Sequence, residues 1–352
     1  MPTTYAIPNG LTVMDATVYT GDGTSTRSIT NSGSFKPDFV WVKNRSTGDY
    51  HILVDSVRGG SNVVYSNATL AEAASPIYGY TSGFNSNGFV VSSGTSPTNG
   101  TDSVNKSTQA YVGWQWQAGQ GSTSSNTNGS ITSTVSVSTT AGFSIVTYTG
   151  TGANATVGHG LGVAPSMVIV KCRTQGVGYN WAVYHSALGA TQFTLLNLTN
   201  AAATASTVWN NTAPTSTVFS LGNDGAINGS GQTFVAYCWT PIAGFSQFGS
   251  YTGNGSTDGP FVYLGFRPKF VLIKRTDTTS DWVTIDSSRA PYNAVSPYLV
   301  VNTSAAENTY TGWDIVSNGI KLRNTDAGIN ASGGTYIYAA FAENPFKYAN
   351  AR

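Results

Sequence analysis

Pro37-Asp38-Phe39-Val40-Trp41-Val42-Lys43 returns as Pro165-Ser166-Met167-Val168-Ile169-Val170-Lys171 and again as Pro268-Lys269-Phe270-Val271-Leu272-Ile273-Lys274. In the first copy Phe39 and Trp41 alternate with Val40 and Val42, so both faces of the segment are apolar. A strand of that kind lies in the middle of a sheet that is covered on each side. The leading prolines Pro37, Pro165 and Pro268 give up no ladder donor at a strand start. Lys43, Lys171 and Lys274 are expected to end the strand at the solvent rim.

The flanking blocks repeat in the same order. Upstream stand Tyr19-Thr20-Gly21-Asp22-Gly23, Tyr148-Thr149-Gly150-Thr151-Gly152 and Tyr251-Thr252-Gly253-Asn254-Gly255. Each reads as a strand ending in a tight turn, where glycine takes φ > 0 at little steric cost. Downstream, an aromatic follows each lysine at seven to ten residues (Tyr50, Trp181, Trp282). Each copy then closes on an aromatic strand: Tyr111 to Trp116, Phe234 to Trp239, Tyr336 to Phe341. Gly88-Phe89-Val90-Val91, Val218-Phe219-Ser220-Leu221 and Gly319-Ile320-Lys321-Leu322 read as further equivalent strands. Short strands split by Gly, Asn and Ser turns, with no long helical period, indicate a sandwich or jelly roll ahead of a barrel. The Ala-rich stretches 69–74 and 201–205 read as single helical turns. The expected fold is all-β, with three tandem β-sandwich, jelly-roll-like domains of one repeated type.

Copies two and three are offset by 103 residues, copies one and two by 128. The excess falls in 118–142, a Gly/Ser/Thr/Asn run that reads as a linker, with room for a short strand at 131–137. The expected domains are 1–117 with an N-terminal arm, the linker 118–142, 143–242 and 243–352. Only a few residues around Pro241 and Gly244 join the last two, so the expected outline is one domain on a tether and two docked stiffly.

Composition agrees with strands. Of 352 residues 9% are charged, against about 25% in an ordinary soluble chain, and Glu72, Glu307 and Glu343 are the only glutamates. Lys and Arg are scattered and the formal net charge is +1, which disfavours nucleic acid as a partner because counterion release needs clustered cations. Cys172 and Cys238 read as reduced thiols in strands rather than a disulfide scaffold. The N-terminus lacks the basic region and apolar core of a signal peptide, and no run reaches the ~20 apolar residues of a membrane span. Synthesis in a cytoplasm, without membrane insertion, is expected.

The residues offer little assembled chemistry. His51, His159 and His185 share no close spacing and no Gly-x-Ser-x-Gly elbow is present. His159, in Gly158-His159-Gly160-Leu161-Gly162, reads as a turn residue. The slot four residues after His51, Trp181 and Trp282 holds Asp55, His185 and Asp286. In copies one and three it opens Asp55-Ser56-Val57-Arg58 and Asp286-Ser287-Ser288-Arg289, which reads as an Asp-capped turn with a local Asp–Arg contact ahead of a recognition loop. No glutamate recurs as a glycosidase acid would. Zinc and EF-hand spacings are absent, leaving a lone Ca²⁺ among Asp22, Asp38 and Asp49 as the metal alternative. The glycine pairs lack a phosphate loop's third glycine. Asn-x-Ser/Thr triplets such as Asn197-Leu198-Thr199 read as composition alone. No catalytic residue, cofactor or metal is assigned.

Phe35-Lys36-Pro37-Asp38-Phe39-Val40-Trp41-Val42-Lys43, Gly160-Leu161-Gly162-Val163-Ala164-Pro165 and Ala342-Glu343-Asn344-Pro345-Phe346-Lys347-Tyr348 resemble a family of tailed-bacteriophage virion proteins made of tandem β-domains, structural or tail-fibre-like. The likeness covers essentially the whole chain. It implies a virion setting, other virion proteins as partners, and a homo-oligomer, by preference a trimer. The leading expectation is a non-enzymatic tail-fibre or receptor-binding component contacting a host surface glycan or protein. Behind it stand a capsid decoration or head-fibre protein, and third a polysaccharide depolymerase.

Overall fold

A computed structural model describes residues 4–346; Lys347 and Tyr348 of the closing motif lie outside them. The fold is nearly all β. Each copy lays five antiparallel strands in one order, with its last strand inserted between its first two. In copy one these are Met14–Thr20, Ala110–Trp116, Phe39–Asn44, Ile52–Asp55 and Gly59–Val64. In copy two they are Phe143–Thr149, Thr233–Trp239, Met167–Cys172, Ala182–His185 and Gln192–Leu195, and in copy three Ser246–Thr252, Thr335–Pro345, Phe266–Arg275, Trp282–Asp286 and Val295–Val300. The register repeats too: Trp116 faces both Met14 and Phe39, Trp239 faces Phe143 and Met167, Phe341 faces Ser246 and Phe270.

Alternation along the middle strand sends side chains two ways. In copy one Val40, Val42, Ile52 and Val54 pack outward on Ile29, Phe89 and Val91 of a smaller sheet. Phe39, Trp41, Trp114 and Trp116 point inward. In copy two Val168, Val170 and Cys172 face Phe219 and Leu221, whereas Met167, Ile169 and Trp239 join the inner core. In copy three the strand Val295–Val300 carries the main sheet over into Asn308–Val316, Gly319–Leu322 and Phe261–Tyr263. The inner faces of all three copies form one core. At its centre Trp116, Trp239 and Phe341 make a triangle of rings with centroids 6.2, 6.4 and 5.5 Å apart. The three copies thus surround an approximate threefold axis.

This arrangement corrects the tethered outline. Residues 118–142 carry the strands Ser124–Asn126 and Ser133–Ser138, which extend the copy-two sheet through pairs such as Val135 with Val146. Asp38, buried, holds the start of the segment by accepting from the Ala118, Gln120 and Gly121 amides at 2.7, 2.8 and 2.6 Å. A polar segment needs no core of its own when a neighbouring strand offers a free edge. The Ala-rich stretches also differ from expectation: Ala73–Ala74 and Ala203–Thr204 are edge strands, and the helical turns among the described residues are Gly10–Thr12, Ser206–Trp209, Gly225–Asn228 and Ala327–Asn330.

The Gly-x-Gly turns are locked by a residue the sequence reading passed over. Asn105, Asn228 and Asn330 each accept from the middle amide of the turn (Asp22, Thr151, Asn254) at 3.3, 2.9 and 2.9 Å and donate to the Thr24, Ala153 and Ser256 carbonyls. The first glycine is required by close approach, since a Cβ on Gly21, Gly150 or Gly253 would strike a backbone carbonyl; Gly23, Gly152 and Gly255 have φ of 77°, 75° and 66°. Asn330 is fully buried and also donates to the Asn324 carbonyl. Asn330→Ala is expected to lower unfolding free energy by about 2–4 kcal/mol, the cost of orphaned buried partners. Urea denaturation measures it, and a loss under ~0.5 kcal/mol, the range of ordinary surface changes, would refute the lock.

Candidate ligand grooves and the seams between copies

The repeat-defining residues form two sets. Tyr19, Tyr148 and Tyr251 serve their own copy: each hydroxyl donates to a backbone carbonyl (Val104, Ile227, Ile329) at 2.7, 2.6 and 2.7 Å, and each ring stacks on Tyr111, Phe234 or Tyr336. Pro37 and Pro165 precede their strands, whereas Pro268 lies inside Phe266–Arg275 at a register shift, where a missing donor is tolerated. The lysines and the Asp/His/Asp slot stand at the seams between copies.

Lys43, Lys171 and Lys274 are not rim residues; all three are fully buried. Each ammonium donates to a carbonyl of another copy: Lys43 to Ser304 of copy three at 3.0 Å, Lys171 to Thr69 of copy one at 2.8 Å, Lys274 to Thr199 of copy two at 2.9 Å. Those acceptors end Asn67-Ala68-Thr69, Asn197-Leu198-Thr199 and Asn302-Thr303-Ser304. The asparagine of each triplet accepts from the backbone amide of His51, Trp181 or Trp282 in its own copy. The triplets dismissed as composition are therefore a repeated structural device. His51, not Tyr50, is the copy-one counterpart of the two tryptophans. All three rings bond in the same rotational sense, His51 to the Val300 carbonyl, Trp181 to Tyr65 and Trp282 to Leu195. Burial pulls each lysine down to about 8.

Two seams carry matching ion networks. Asp55 accepts from the Val57 and Arg58 amides and from Arg58 Nε at 2.5 Å, forming the capped turn. Across the seam, copy two sends the Tyr237 hydroxyl to Asp55 at 2.8 Å and Arg173 to Glu72 at 2.8 Å, and Glu72 also pairs with Arg58. Asp286, Arg289 and Glu307 repeat this with Trp114 and Arg45 of copy one. Burial alone would raise the Asp286 carboxyl, but Arg289 and the Trp114 N–H outweigh it and the net shift is downward.

The seam between copies two and three has none of these groups. Leu188 stands for the turn arginine and Ala202 for the glutamate. Thr276 stands for the incoming arginine and Ala339 for the Tyr or Trp donor. A cavity of about 480 Å³ remains, lined by Leu188, Ala202, Thr276, Gln192 and Asp277. With no side-chain donor opposite, the slot holds His185, whose Nε2 donates to the Tyr338 carbonyl at 3.0 Å while Nδ1 accepts from the Ala187 amide. His51 and His159 have the same pattern, Nδ1 accepting and Nε2 donating to a carbonyl. All three are neutral imidazoles, held below their usual value by burial.

A groove also lies on each copy beside the residue preceding His51, Trp181 or Trp282; in copies two and three it is built from that copy alone, whereas in copy one it reaches Ser304 of copy three at the seam. In copy one it is about 270 Å³, with Asp49, Tyr50, Tyr78 and Ser103; in copy two about 200 Å³, with Asn180, Phe193, Val208 and Asp224. In copy three it is about 350 Å³, with Asp281, Tyr298, Tyr310, Asn308 and Asp326. Asp22, Asp38 and Asp49 do not converge, and among the described residues no three acidic, His or Cys side chains form a metal cluster. Cys172 and Cys238 are free and buried, and burial pushes the Cys238 thiol up. Sequence recurrence carried the missed signals: the locking asparagines stand six residues before Tyr111, Phe234 and Tyr336, and the triplets recur at one place per copy.

The family model described as a domain of unknown function (DUF7483) matches residues 11–345, running through all three copies. No curated protein matches the chain.

His185 gives a pH test. Its folded value is about 4, against an unfolded value of about 6.5. The unfolded chain therefore takes up the proton first, and stability falls as pH drops between these limits. The loss expected from His185 is ~3 kcal/mol, with His51 and His159 adding in the same direction. His185→Gln keeps a donor towards Tyr338 and is expected to remove that share. Denaturant midpoints between pH 7 and 4 measure it, and an unchanged acid slope in the variant would sink the assignment.

Proposed function

The chain belongs to the DUF7483 family, and we propose that it is a non-enzymatic virion surface protein, a tail-fibre or receptor-binding component that contacts the host cell surface. The observation that carries this reading is the set of three grooves at equivalent rim positions on a body whose copies lock to one another. Grooves at fixed spacing bind a repetitive surface by avidity, so weak single sites suffice. Groups with catalytic potential are taken up by the fold: the histidines hold carbonyls, Asp55 and Asp286 hold arginines, and the lysines hold neighbouring loops. The resemblance to bacteriophage structural proteins supplies the virion setting. The trimer it implies has an equivalent inside one chain, because the three copies already make the contacts of a threefold ring.

One observation favours the second reading, a capsid decoration: a threefold body matches a threefold position on a shell. Three measurements separate the readings. Purified chain added to host cells is expected to adsorb and to block infection. Recovery on heads that lack tails, without adsorption, would move the assignment to decoration. New reducing ends released from host capsule or lipopolysaccharide would revive the depolymerase and overturn the non-enzymatic part.

A further inference from the structure

Among the three grooves, the one on copy three has the most complete lining. Tyr298 and Tyr310 meet edge to face with centroids 6.3 Å apart, and Tyr310 is 36% exposed. Asp281 and Asp326 line the same groove, Asp326 bonded to the Tyr310 hydroxyl and accepting from the Gly328 amide at 2.7 Å, Asp281 accepting through Oδ1 from Asn302 at 2.8 Å, and Asn308 and Ser280 add an amide and a hydroxyl. Among the described residues no Lys or Arg lines the groove; Lys274 donates its ammonium to the Ser280 and Thr199 carbonyls. Both tyrosine hydroxyls are raised, by burial first and then by Asp326, with Asp281 also acting on Tyr298.

This chemistry selects a ligand class. A volume of about 350 Å³ falls in the small-ligand range of roughly 300–1,000 Å³. An extended peptide would need a free ladder, but Val295–Val300 is already an inner strand, its Val295, Pro297 and Tyr298 paired with Asn308–Val316 and its Leu299 and Val300 with Trp282–Asp286. Exposed aromatic faces accept the C–H face of a pyranose, while carboxylates and amides accept its hydroxyl donors. Anionic sugars would meet two carboxylates and, among the described residues, no lining cation. The copy-one groove repeats the theme with Tyr50 and Tyr78, each 46% exposed, whereas the copy-two groove is smaller and lined by Phe193 and Val208. We propose that the copy-three groove binds an uncharged hexose or N-acetylhexosamine segment of a surface glycan, with Tyr310 as the stacking platform and Asp281 and Asp326 as hydroxyl acceptors. The inference rests on the surface-binding reading and names its ligand class.

The test presents full-length chain to an array of neutral hexose and N-acetylhexosamine oligosaccharides beside their sialylated and phosphorylated counterparts. Binding is expected to the neutral set. Tyr310→Ala, with its melting temperature measured beside the parent's to separate lost binding from lost stability, is expected to weaken it at least about tenfold, and Asp281→Asn to weaken it as well. Binding confined to the anionic set, no binding to any sugar, or equal binding by Tyr310→Ala overturns the inference. Cell adsorption keeps the two levels apart. If the parent chain adsorbs and Tyr310→Ala adsorbs equally, the groove assignment falls and surface binding stands. If the parent chain adsorbs to no host cell, the surface-binding reading itself falls.

Discussion

Each main sheet in this chain has two apolar faces and only one outer layer of its own to cover them. The uncovered face in copy one includes Phe39, Trp41, Trp114 and Trp116. Burying a large apolar side chain stabilises by about 1.5–3 kcal/mol, so leaving this face in water costs on the order of 10 kcal/mol. That equals the whole net stability of a typical domain, about 5–15 kcal/mol. A single copy is thus incomplete by itself, and the triangle of Trp116, Trp239 and Phe341 shows how the deficit is met: three inner faces cover one another.

Apolar burial is non-directional, and the seams obtain direction from buried polar groups. A desolvated ammonium costs several kcal/mol unless its donors are met, and a loop carbonyl shut away from water carries its own penalty. Lys43, Lys171 and Lys274 each pair with such a carbonyl from another copy, always in the same rotational sense. The ring closes where the N-terminal arm lies on copy three: Gly10 packs so near the Ala342 carbonyl that no side chain fits between them.

What could be read from the sequence was what each copy settles locally. The two-faced strand is visible in Phe39-Val40-Trp41-Val42, the tight turn in each Gly-x-Gly, and the capped turn in Asp55 to Arg58. What could not be read was decided between copies. A lysine after an apolar run looks like a strand end at a rim, and only the arrival of the Ser304 carbonyl makes Lys43 an interior residue. The segment 118–142 is polar because its backbone, rather than its side chains, supplies the pairing. The candidate grooves were legible only as composition, in the abundance of tyrosine beside short polar residues; their walls come from strands and turns far apart in sequence, such as Asp281 and Tyr310.

Departures from repetition are as informative as the repetition. The threefold core constrains inward residues, so Phe39, Met167 and Phe270 stay large and apolar. The seams are constrained less strictly: two keep the Asp–Arg–Glu network, while the third replaces it with Leu188, Ala202 and His185 and still closes through Lys274 and Trp282. The groove linings vary most: Tyr50, Asn180 and Asp281 occupy one position with three chemistries, although Asn180 and Asp281 also accept from the triplet asparagines Asn197 and Asn302. Under the proposed surface-binding reading, a scaffold repeated this closely beside a rim that varies so freely could change its ligand without disturbing what holds it together, and the acid-rich, tyrosine-lined groove of copy three is the most fully lined of the three.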